Sequence, residues 1–83
     1  MKTVEIYTTN YCPYCNRAKR LLESKGVEYS EIKLDSDPNQ KYEIMNNLKW
    51  RTVPIIVIGE QVIGGYDQLV ELERSKKLEQ LLN

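Results

Sequence analysis

The spacing of hydrophobic residues changes period several times along the chain, and each change marks an element. Val4-Glu5-Ile6-Tyr7-Thr8 alternates apolar and polar positions and reads as a strand. Ala18, Leu21 and Leu22 then recur at helical spacing, and Gly26 stands where a left-handed helix cap belongs. Val27 to Leu34 is rich in β-formers, but its apolar positions are odd at Val27 and Tyr29 and even at Ile32 and Leu34. That phase break predicts a bulge or two unequal halves. Asp37-Pro38-Asn39-Gln40 predicts a helix start, with Asp37 as N-cap, Pro38 at the first helical position and Gln40 completing a capping box. Ile44, Met45 and Leu48 are the expected buried face of that helix. Thr52-Val53-Pro54 leads into Ile55 to Ile58, a short, continuous, β-branched run that predicts a strand buried on both faces. Gly59-Glu60 turns it back through Gln61-Val62-Ile63, and Gly64-Gly65 ends the hairpin. Leu69, Val70 and Leu72 pattern a third helix, and Leu78, Leu81 and Leu82 a short last one.

The order is βαβαββα with a helical tail, an α/β fold with a four-stranded mixed sheet and helices on both faces. A strand, helix and strand in succession form a right-handed crossover, which makes the first two strands parallel. At 83 residues, without repeats or linkers, residues 1–83 are expected to form one domain and to act as a monomer. Twelve basic and twelve acidic residues lie interspersed, without the basic stripe that nucleic acid or an anionic membrane would select. The longest apolar run, Val53 to Ile58, is far short of the ~20 residues of a spanning helix. The N-terminus lacks the apolar stretch of a signal peptide, so a cytoplasmic location is expected.

Cys12-Pro13-Tyr14-Cys15 places two thiols three residues apart where the first strand hands over to the first helix. There the free N–H groups of Tyr14 and Cys15 can point at the Cys12 sulfur, and the positive end of the helix favours a thiolate. Thiolates so placed have pKa values of roughly 3.5 to 7.5 instead of ~8.5, and the thiolate is the form that attacks disulfides. Cys12 is therefore the expected nucleophile. Zinc is the competing use of this spacing, but a structural site needs four ligands and the chain has two cysteines and no histidine. A purely structural disulfide closing so short a loop would remove little unfolded-chain entropy.

Three separated motifs together resemble the glutaredoxins, a family with the thioredoxin-like fold: Tyr11-Cys12-Pro13-Tyr14-Cys15, Thr52-Val53-Pro54, and Gly64-Gly65-Tyr66-Asp67-Gln68-Leu69. The resemblance spans essentially the whole chain. It implies a glutathione-dependent oxidoreductase with Cys12 attacking and Cys15 resolving, glutathione as reductant and co-substrate, and no bound cofactor or metal. Its partners would be glutathione and proteins carrying glutathione mixed disulfides or disulfides. It also implies a cis bond before Pro54 that turns Val53, beside Thr52, toward the substrate, and Tyr14 as an aromatic wall of the glutathione groove. The backbone of Gly65, Tyr66 and Asp67 would hold the γ-glutamyl carboxylate. Two other readings compete: a redoxin fed by thioredoxin reductase, and a glutathione-ligated iron–sulfur dimer, against which Pro13 argues because cluster-holding relatives usually carry a smaller residue there.

Two positions depart from the family pattern. Many glutaredoxins carry a lysine three residues before the attacking cysteine, where it pairs with the glycyl carboxylate of glutathione, but this chain has Thr9. Lys41 and Arg51 are the candidate replacements. Gln68 stands where a second aspartate often meets the γ-glutamyl ammonium; its neutral amide accepts that bond without charge assistance. Trp50 is read as packing near the site, with no role of its own.

Overall fold

The structure, a computed structural model, describes residues 2–83. Its elements run β1 (Val4–Thr8), α1 (Pro13–Ser24), β2 (Ser30–Lys33), α2 (Pro38–Leu48), β3 (Ile55–Ile58), β4 (Gln61–Gly64), α3 (Tyr66–Arg74) and α4 (Leu78–Leu82). The strands lie in the order β2-β1-β3-β4, with β1 and β2 parallel and the β1–β3 and β3–β4 pairs antiparallel. The crossover and the hairpin are those the periodicity predicts.

Strand alternation divides the core between the two faces of the sheet. Val4 and Ile6 of β1 sit opposite Ile58 and Ile56 of β3 and join Ala18, Leu22, Leu69, Leu78 and Leu82 in one buried cluster. That face is closed by α1, α3 and α4. Ile55 and Val57 are also buried but point the other way, which is why all of β3 is apolar. This second face belongs to α2, which crosses from β2 to β3 and contributes nothing to the first cluster.

Three local expectations change. Ile44, Met45 and Leu48 do form the inward side of α2, but none is fully buried, so that layer is thinner than the spacing suggested. The phase break between Val27 and Leu34 is no bulge: both residues are buried, both lie outside β2, and β2 itself is a four-residue, largely exposed edge strand. The register shift falls in the hairpin, where Ile56 pairs with Gly64 but Val57 with Val62, leaving Ile63 as the extra residue. Asp37 caps α2 by accepting from the N–H groups of Asn39 and Gln40 at 2.9 and 3.3 Å, without the return bond from the Gln40 side chain. Gly26 holds the αL position after α1 at φ 70°, and the Val27 N–H closes the cap on the Leu22 carbonyl at 3.0 Å. Among the described residues no helix is long and apolar enough to cross a membrane.

Candidate functional site

Cys12 is the N-cap of α1, in extended backbone at φ −135° and ψ 95°, with Pro13 beginning the helix. Its Sγ accepts a hydrogen bond from the Cys15 N–H at 3.0 Å and is bonded to the Cys15 sulfur. Among the described residues Cys15 supplies the one N–H that reaches the sulfur, and the second donor expected, from Tyr14, is not engaged. The two cysteines differ in access. Cys12 keeps 8% of its surface exposed and Cys15 1%, so an incoming sulfur meets Cys12.

Beside this pair lies an open pocket of about 340 Å³. Tyr14 enters it from α1, Thr52, Val53 and Pro54 from the segment before β3, and Gly65, Tyr66, Asp67 and Gln68 from the start of α3. All eight residues that the resemblance nominated for the groove are thus brought together. The Val53–Pro54 bond is cis, as the resemblance implied. Tyr14 and Tyr66 face each other with ring centroids 5.8 Å apart, and the Arg17 guanidinium carbon stands 5.2 Å from the Tyr14 centroid.

Two glycines govern how Trp50 and Gln68 pack at this pocket. Gly64 has φ 121°, and a Cβ there would lie 2.9 Å from Trp50 Cη2 and 3.0 Å from Gln68 Cγ. The indole and the glutamine stem therefore close together over Gly64, which only glycine permits. Gly65 is the N-cap of α3. Lacking a side chain to cap with, it donates its own N–H to Gln68 Oε1 at 3.0 Å, one half of a capping box. The Gln68 oxygen expected to await an ammonium is thus already engaged. Trp50, read from sequence as packing alone, also lines the pocket, and its Nε1–H is buried without an acceptor. What could have flagged it is its place immediately before Arg51-Thr52-Val53-Pro54, a bulky aromatic opposite a double glycine.

A second pocket, of about 350 Å³, is lined by Thr9, Tyr11, Leu34, Asp35, Pro38 and Lys41. Lys41 is therefore brought to Thr9, whereas Arg51 is exposed and lines neither pocket. Other charges near the end of β1 are committed. Lys19 pairs with Glu31 at 3.0 Å, Lys33 Nζ donates to Asn10 Oδ1 at 3.1 Å, and Asp35 accepts from the Asn10 N–H at 2.9 Å. The buried Thr8 hydroxyl donates to Glu31 at 2.7 Å. Hydrogen bonds from Thr8 and Lys19 hold the Glu31 carboxyl below its ordinary range.

Among models of protein families, that of glutaredoxin matches residues 4–63. A curated glutaredoxin of Pseudomonas aeruginosa is 49% identical over 83 residues, covering 100% of this chain and 99% of the relative. A solution structure of glutaredoxin from Brucella melitensis superposes with TM-score 0.88 at 44% identity, covering 99% of this chain and 89% of that one. A crystal structure of a buckwheat glutaredoxin–glutathione complex superposes with TM-score 0.88 at 32% identity, covering 98% of this chain and 76% of that one.

Proposed function

This chain belongs to the glutaredoxin family and is a thiol–disulfide oxidoreductase, and on that premise we propose that it reduces glutathione mixed disulfides and protein disulfides with glutathione as reductant. The single observation that carries the reading is the convergence of Tyr14, the Thr52–Pro54 segment and the Gly65–Gln68 helix start on one pocket beside Cys12. The glutathione of the buckwheat complex supports it by likeness. In this reading the edge of Val53 pairs with the peptide groups of glutathione, Tyr14 and Tyr66 form a wall, and the N–H groups at the start of α3 receive the γ-glutamyl carboxylate. Lys41, which shares a pocket with Thr9, takes the glycyl carboxylate in place of the missing lysine, and Arg51 does not.

The chemistry is thiol exchange. The Cys12 thiolate attacks the glutathionyl sulfur of a mixed disulfide, a bond forms between the two sulfurs, and the substrate thiolate leaves and takes a proton from solvent. A glutathione thiolate then attacks the glutathionyl sulfur now carried by Cys12, regenerating the Cys12 thiolate and producing glutathione disulfide. With a protein disulfide, Cys12 forms a mixed disulfide with one substrate sulfur and releases the other. Cys15 attacks Cys12 from behind, the substrate departs fully reduced, and two glutathione molecules reduce the Cys12–Cys15 disulfide. The burial of Cys15 suits this division, since it meets a partner sulfur only after Cys12 has captured one. Such a cycle needs a reducing thiol pool, and we place the protein in the cytoplasm.

Reduction of a small glutathione mixed disulfide, coupled to glutathione reductase, tests the reading. Cys12→Ser is expected to abolish turnover. Cys15→Ser should keep deglutathionylation and lose most reduction of protein disulfides. Equal loss in both single variants, or turnover with thioredoxin reductase and none with glutathione, would contradict it.

A further inference from the structure

The pocket holds one polar group that thiol exchange does not use, the buried, unpaired Nε1–H of Trp50. It lies close to the cap of α3. From the position a Cβ would take on Gly65, Gln68 Oε1 is 3.4 Å away and Trp50 Nε1 3.6 Å, so acceptor and donor border the same small space. The Gln68 stem already rests with the indole over Gly64. In the structure the Gln68 oxygen serves Gly65 N–H and leaves the indole unserved.

An unsatisfied buried donor is costly, whereas exchanging one hydrogen bond for another is nearly neutral. A carboxylate that adds Gly65 N–H to the N–H groups of Tyr66 and Asp67 takes it from Gln68, which by itself opposes that contact. We propose that the displaced Gln68 carboxamide turns its oxygen to Trp50 Nε1–H, so that Trp50 and Gln68 act as positioning residues that release Gly65 N–H to the ligand by hydrogen-bond exchange. The proposal rests on the reading of the groove as the glutathione site. Trp50 touches no ligand in it. Its N–H favours the bound state because it is unpaired when the groove is empty and paired when it is filled.

Trp50 is the only tryptophan in the chain, so its indole N–H gives one assignable NMR resonance. Titrating the full chain with S-methylglutathione, which cannot exchange thiols, should move the Gly65 amide and shift the indole proton downfield along the same saturation curve. In Gln68→Ala the Gly65 amide should still move while the indole proton stays. Trp50→Phe keeps an aromatic ring without the N–H and should weaken binding on the order of threefold to tenfold. In the Gln68→Ala background the same change should have no effect, because the acceptor that gave the N–H its role is gone. An indole resonance that stays fixed while Gly65 shifts would overturn the exchange and leave the glutathione site standing. So would a Trp50→Phe loss of equal size in the Gln68→Ala background, which would mean that the ligand contacts the indole directly. If neither the Gly65 amide nor the indole responds, the groove does not bind glutathione and both readings fall.

Discussion

The two sides of Cys12 are built on different principles. Toward α3, the pocket is made of the bend before β3 at Val53, a helix start at Gly65 and the close packing of Trp50 and Gln68 against Gly64. The groups proposed there to bind the ligand are mostly backbone, at Val53 and the start of α3. Toward α2, the pocket around Thr9 and Lys41 offers side chains, and the other cations near it are tied to Glu31 and Asn10. The first side resists substitution and should supply most of the recognition. The second is replaceable, since an exposed cation on a flexible stem contributes about 0.2–1 kcal/mol wherever it is attached.

The largest expected effects separate the two glycines. Gly64→Ala forces a side chain into φ 121° and against the Trp50 ring, and should lower stability by roughly 2–5 kcal/mol in denaturant unfolding. Gly65→Ala has no positive φ to strain and meets only ordinary contacts, the nearest at 3.4 Å, so stability should hold within about 1 kcal/mol. Its methyl would instead fill the space between Gln68 Oε1 and Trp50 Nε1 and weaken glutathione binding. If Gly64→Ala is as stable as the parent, the closed packing of Trp50 over that glycine is wrong.

On the α2 side, Thr9→Lys should lower the KM for a glutathionylated substrate a few-fold at most, with the gain shrinking as salt is raised. Lys41→Ala should raise KM by a similar factor, and Arg51→Ala should leave it unchanged. A KM that rises in Arg51→Ala and stays fixed in Lys41→Ala would reverse the assignment.

The smallest effect concerns the ionic frame beside Thr9. Because its folded pKa lies below the ordinary value of 4.5, Glu31 contributes stability above that value and loses it as pH falls through the folded pKa. Glu31→Gln should therefore make the acid limb of a pH series of urea midpoints shallower. A slope unchanged by the substitution would mean that Thr8 and Lys19 do not hold the carboxylate in solution.

Sequence pattern revealed the backbone-built side better than the other, for a physical reason. Pro54, Gly64 and Gly65 are residues whose backbone conformations leave marks in the sequence, and the strands themselves followed from period changes at Val4–Thr8 and Ile55–Ile58, although their order in the sheet did not. Long side chains leave no such mark: Lys41 and Arg51 looked equivalent until the path of α2 brought one of them to Thr9. The capping box was expected at Asp37 and Gln40, but a glutamine returns to the N-cap backbone at Gly65, where the signature is invisible because glycine has no side chain to announce it. Trp50 was missed because an aromatic residue after a helix reads as packing, and its unpaired N–H exists only in three dimensions. The phase break at Val27–Leu34 is not the bulge it allowed: Val27 joins the buried cluster of the first face and Leu34 lies outside it, with an exposed edge strand between them.

Amide NMR spectra of the full chain during S-methylglutathione titration compare the two sides in one experiment. Val53, Gly65, Tyr66 and Asp67 are expected to shift along a single saturation curve, with smaller changes at Thr9 and Lys41. Saturable shifts confined to Thr9, Tyr11 and Lys41, with the α3 start unmoved, would contradict the assignment of recognition to the backbone-built side.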